Sequence, residues 1–177
     1  MKKKTLALVL ALTLLVAGVV GGTLAWLTDQ TAEVKNTFTV GDINIGLTET
    51  TADYKMVPGN TIAKDPTVTV KANSEACWLF VQVTESENLD TFITYAIADG
   101  WTALPGVDGV YYREVPASNA DQTFPVLAGN TVTVNDTVTK EMLTAKDFAN
   151  PTLTFQAYAI QKAHFDTPAA AWAEVSK

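Results

Sequence analysis

Apolar and polar side chains alternate through much of the chain. In "INIGLTE", Ile43, Ile45 and Leu47 fall on one face of an extended segment, and Asn44 and Thr48 on the other. In "PTVTVKA", Val68 and Val70 oppose Thr67, Thr69 and Lys71. A period of two marks a half-buried strand, because successive strand side chains point to opposite faces. "ACWLFVQV" (76–83) is apolar at consecutive positions, which predicts a central strand covered on both sides. The same reading predicts strands in "TFITYAI" (91–97), "GVYYREV" (109–115), "TFPVLA" (123–128), "TVTVND" (131–136) and "TLTFQAYAIQ" (152–161).

Turn chemistry separates these segments. Pro58-Gly59 suits the centre of a type II turn, since proline presets the first φ and glycine accepts the positive second one. "GVDG" (106–109) and Gly129-Asn130 are further turn points. Two stretches read as helical. "TKEMLTAKDF" (139–148) puts Met142 and Leu143 on one side, and "DTPAAAWAEVSK" (166–177) offers Asp166 or Thr167 as a cap and Pro168 at the first helical position. About eight short strands with frequent turns predict an all-β fold, a jelly-roll-like β-sandwich with one or two short helices.

The start of the chain breaks this pattern. Lys2 to Lys4 precede an uncharged apolar run, Leu6 to Val20, followed by Gly21-Gly22 and Thr23-Leu24-Ala25. A basic start, an apolar stretch and small residues at −3 and −1 describe a secretory signal peptide. Residues 1–25 are therefore read as a signal helix preceding the sandwich. Cleavage is expected between Ala25 and Trp26, where the glycine pair breaks the helix and leaves extended chain for a peptidase. The alternative is an uncleaved anchor, because Leu6 to Leu27 carries no charge and about 20 apolar residues can span a bilayer.

Charge and cysteine content narrow the partners. Loss of Lys2, Lys3 and Lys4 with the leader makes the formal charge of −7 still more negative. Such a chain repels nucleic acid and anionic membranes, so membrane contact is expected only through an uncleaved leader. The lone cysteine, Cys77, lies in the apolar "ACWLFVQV" and reads as a buried, inert thiol.

Candidate chemistry is sparse. His164 is the one histidine and falls in the polar link "QKAHFD", so it reads as a surface residue rather than a triad base. The sequence contains no H-E-x-x-H, no C-x-x-C, no G-x-S-x-G and no Gly-rich phosphate loop. Asp99, Asp108, Glu114 and Asp121 read as a solvated acidic surface, and the loop "SNADQ" (118–122) lacks EF-hand spacing for Ca²⁺. Trp78, Trp101, Tyr111, Tyr112 and Trp172 read as core fillers. No catalytic residue, metal or cofactor is expected.

One resemblance is specific. "GGTLAWLTD" followed by "NTFTVGDINIGLTE" resembles the start of the TasA/camelysin group of secreted proteins of Gram-positive bacteria, with Trp26-Leu27 where many members carry two aromatics. "KDPTVTVKANSEACWLFVQV" (64–83) and "LTFQAYAIQ...FDTPAAAWAEV" (153–175) resemble that group more loosely. The resemblance implies export through a SipW-type signal peptidase and a jelly-roll sandwich that builds extracellular fibres of a biofilm matrix. It also implies that residues 26–37 are a donor strand preceding a sandwich of residues 38–177. That segment would leave its own subunit and add to the next, so that the chain's partner is itself, head to tail, alongside other matrix proteins. Trp26, Leu27, Val34 and Phe38 would be the side chains inserted. The alternatives for this segment are a disordered tail or a strand folded back on its own sheet. Camelysin-like relatives are described as metalloproteases, but a single histidine leaves no recognisable zinc ligand set here. Three functions follow: a secreted fibre subunit, a monomeric cell-surface or matrix accessory module or adhesin, and, least supported by the residues, a secreted hydrolase.

Overall fold

The computed structural model describes residues 43–50 and 55–177, all within one of the chain's two units, Phe38–Lys177. The leader, the Ala25/Trp26 cleavage point and the segment carrying Trp26, Leu27, Val34 and Phe38 lie outside the described residues.

Strand β4 (Cys77–Glu85) organises the structure. It pairs antiparallel with β10 (Leu153–Gln161) on one side, from Leu153↔Glu85 to Gln161↔Cys77. On the other side it pairs with β7 (Val110–Val115), and β6 (Thr102–Ala103) follows β7. Alternation along β4 explains its apolar run. Cys77, Leu79 and Val81 point into one core with Val68, Val70, Val115 and Val126. Trp78 and Phe80 point the other way, into a core with Leu104, Val110, Ala171 and Trp172. The last two belong to helix α3 (Pro168–Val175), which covers the outer face of the sheet. That helix starts as its sequence dictates. The Thr167 hydroxyl accepts from the Ala170 amide at 3.3 Å, and Pro168 opens the first turn.

The facing layer is one ribbon bent into two halves. In the first half β3 (Thr67–Val70) lies between β1 (Ile45–Thr48) and β8 (Gln122–Pro125). In the second, β9 (Thr131–Val134) lies between β2 (Thr61–Ala63) and β5 (Ile93–Thr94). Strands β2 and β3 are successive in the chain, as are β8 and β9, and both pairs cross from one half to the other at the same level. The amide of Val126 donates to the Pro66 carbonyl at 2.9 Å, and that of Lys64 to the Asn130 carbonyl at 2.8 Å, so hydrogen bonding continues through the corner. Strands that switch sheets at a bend are the usual corners of a β-sandwich. The all-β sandwich with short helices is thus the observed fold.

Several local expectations need correction. Residues 91–97 were expected as one strand. Instead, helix α1 (Leu89–Phe92) takes the first two, β5 keeps only Ile93 and Thr94, and Ile97 makes an isolated bridge to Leu127. Leu89, Phe92 and Ile93 are all buried in a third core with Leu127, Val132, Val134 and Val138, and a helical turn brings the first two onto one side where a strand would not. Strands β2 and β6 were not foreseen, being only three and two residues long. The segment 139–148 forms a single capped turn, helix α2 (Lys140–Leu143), with Thr139 Oγ1 accepting from the Met142 amide at 3.3 Å. The Pro58-Gly59 turn forms as expected and is closed by the Asn60 amide on the Val57 carbonyl at 3.0 Å.

Candidate functional site

A groove of about 730 Å³ opens between the end of β1 and the start of β10. Leu47 and Thr48 form one rim, and Thr152, Leu153 and Thr154 the other. Ile62, Val132, Leu89 and Ile93, from the second half of the bent layer and the helix before it, make the floor apolar. Leu47 was placed by alternation on the buried face of β1 with Ile43 and Ile45. Those two pack on the core, but Leu47 is 37% exposed because it reaches the groove instead.

The polar element of the groove sits at the ribbon's corner. Lys64 is buried, and its Nζ contacts Glu49 Oε1 at 2.6 Å and lies 5.4 Å from the centre of the Phe155 ring. Burying a lysine is costly unless the ammonium is paired, and the carboxylate and the ring face supply that compensation. The next residue repeats the link. Asp65 Oδ1 accepts from the Thr50 amide at 2.9 Å, and Oδ2 accepts from the Thr50 hydroxyl. These donors, the hydroxyl first, hold the Asp65 carboxyl below its ordinary pKa. Two consecutive residues of the corner thus fasten two consecutive residues after β1.

The groove is bounded by sheet edges. β10 is an outer strand of the four-stranded sheet and β1 an outer strand of its own. Among the described residues neither has a second strand neighbour. An outer strand presents backbone N–H and C=O groups to any extended chain laid beside it. The arrangement therefore offers backbone partners at the end of β1 and the start of β10, with an apolar trough between them.

The residues singled out from sequence are dispersed. Cys77 is fully buried, and burial pushes its thiol up to about 11, so it stays protonated and unreactive in the fold. His164 is exposed in the short 3₁₀ turn after β10. Asp121 accepts from the Ala72 amide at 2.8 Å and pairs with Lys71 at 3.0 Å, which lowers its pKa and commits the "SNADQ" loop to holding the chain after β3. Glu114 pairs with Lys162. Among the described residues no three His, Cys, Asp or Glu side chains are grouped to hold a metal ion. Trp78, Trp101 and Trp172 are core residues, with Trp172 ring centres 5.3 Å from Phe80 and 5.2 Å from Tyr158. Lys64, Asp65 and Thr50 were not singled out. Their one local signal is a charged pair before Pro66 between two strands, which marks a corner but not what the charges meet.

No family model and no curated protein matches the chain. Among solved structures it is similar to the partial N-terminal region of an enterococcal surface protein, with a TM-score of 0.38 and 14% identity over 76% of this chain. The match spans 42% of that solved region, and a likeness this slight carries no argument. Among the described residues no helix is long and apolar enough to cross a membrane.

Proposed function

We propose that the protein acts by binding rather than by catalysis, as an exported β-sandwich module of the cell surface or extracellular matrix whose groove accepts an extended polypeptide strand. The observation that carries this reading is the apolar trough between two outer strands, β1 and β10, with Leu47 exposed at its rim. A strand laid there gains main-chain hydrogen bonds from an edge and pockets for alternate side chains, the mode known as β-augmentation. The apolar leader supports export.

A finer reading is the fibre subunit that the resemblance to the TasA/camelysin group implies. In it, a SipW-type peptidase frees Trp26, and residues 26–37 of one copy occupy the groove of the next. Trp26, Leu27 and Val34 in that segment, and Phe38 directly after it, are spaced apolar residues among polar ones, as an inserted strand requires. A head-to-tail contact of this kind does not close on itself and grows into a filament. Size-exclusion chromatography and negative-stain electron microscopy of a chain beginning at Trp26 and one beginning at Thr37 separate the two. Filaments from the longer chain alone support the fibre subunit. Two equally stable monomers leave the accessory module, whose strand comes from another protein.

A further inference from the structure

Away from the groove, Trp101, Arg113 and Phe124 pack together. Arg113 is the chain's only arginine, beside eleven lysines. It lies on β7 one residue past Tyr112, whose partner Thr102 is the first residue of β6. Its guanidinium carbon is 4.0 Å from the ring centre of Phe124 in β8 and 5.3 Å from that of Trp101. Trp101 is itself anchored, its indole N–H donating to the Pro125 carbonyl at 2.9 Å. Gly100 completes the cradle. It has φ +85°, and a Cβ there would lie 3.1 Å from Arg113 Nη2 and 3.5 Å from both Nη1 and Cζ. A side chain at this position would press on the guanidinium.

Stacking on rings engages the faces of a guanidinium and leaves its N–H donors in the plane. Among the described residues those donors have no carboxylate within ion-pair distance, and Nε is shielded from solvent without a hydrogen-bond partner. Burial draws the group's pKa down. The result is a fixed, partly desolvated, forked cation on an otherwise acidic protein. Such a group favours a planar two-oxygen anion, which takes two parallel N–H bonds at once.

We propose that Arg113, held by Trp101, Phe124 and Gly100, is a binding site for a carboxylate, carried either by an acidic polypeptide or by a small free acid. The site is independent of the groove. ¹H–¹⁵N NMR of the chain tests it, following the Arg113 Nε–H and Trp101 Nε1–H signals. The probes are acetate and the capped peptide acetyl-Gly-Glu-Gly-amide, at ionic strength held constant with chloride. Saturable shifts of both signals are expected, with at least about tenfold weaker binding in Arg113→Lys, which keeps the charge but loses the fork. Phe124→Leu, which removes the stacking ring but keeps an apolar filler, should weaken binding as well. Tighter binding of the peptide than of acetate identifies a polypeptide source, and equal binding a small acid. No saturable shift with either probe, or unchanged binding in both variants, overturns the proposal.

Discussion

Gly109 shows how a single residue fixes a junction of the main sheet. It has φ +70°, and a Cβ placed on it would lie 2.4 Å from the Val83 carbonyl oxygen. Its own carbonyl accepts from the Val83 amide at 2.7 Å, so the turn before β7 lies directly against β4. An alanine there meets both a backbone penalty and a clash with main chain that cannot swing aside. Gly106, three residues earlier, has φ +78° with nothing within 4 Å of its Cβ position. Gly106→Ala should therefore cost about 1 kcal/mol from conformation alone, and Gly109→Ala more than about 2 kcal/mol. Urea unfolding of the two variants provides the comparison, and equal losses would show that the close approach to Val83 does not matter.

At the scale of elements, the last helix and the ribbon corner carry separable roles. Helix α3 covers the outer face of β4 through Trp172, whose ring meets both Phe80 and Tyr158. Trp172→Ala should cost about 3–5 kcal/mol, the range for removing a large buried aromatic side chain. The near-UV circular dichroism of the folded variant should weaken with it. The corner instead titrates. A carboxyl whose folded pKa lies below its unfolded value contributes stability that is present above the unfolded value and lost as pH falls through the folded one. Asp65 is such a group, lowered from 3.8 by its bonds from Thr50. Asp121 and Glu141 are also lowered, so all three contribute to acid sensitivity. Asp65→Asn should reduce stability near neutrality and make the loss below about pH 4 shallower without abolishing it. Chemical denaturation across pH 2.5 to 7 checks this, and an unchanged acid profile would mean that Asp65 does not fasten the end of β1.

For the whole molecule, the strands were legible wherever one face met the core along the full element. β3 and β9 bury their alternating valines, and the unbroken apolar run of β4 correctly indicated cover on both sides, a cover that β7 and β10 share. The helix at Pro168 was legible from its cap and proline. The run 91–97 misled because Phe92 and Ile93 are buried in succession by a change from helix to strand, which a period of two does not describe. The groove was not legible, because its rims come from opposite ends of the sandwich sequence and no local pattern records that β1 and β10 both lie at sheet edges. Arg113 was missed for a similar reason: a lone charge in "YYREV" looks solvent-facing until Trp101 and Phe124 are placed around it. The groove also yields a test that leaves the fold intact. Leu47 is 37% exposed at the rim, so Leu47→Arg should cost about 1 kcal/mol and leave the chain folded. It should nevertheless place a charge in the trough and block an incoming strand. A fluorescent peptide of residues 26–38 added to the chain beginning at Thr37 provides the probe, read by anisotropy. Saturable binding that Leu47→Arg removes supports strand capture from a second copy. Absence of binding would turn the search to a strand from another protein, and binding indifferent to Leu47→Arg would place the acceptor outside this groove.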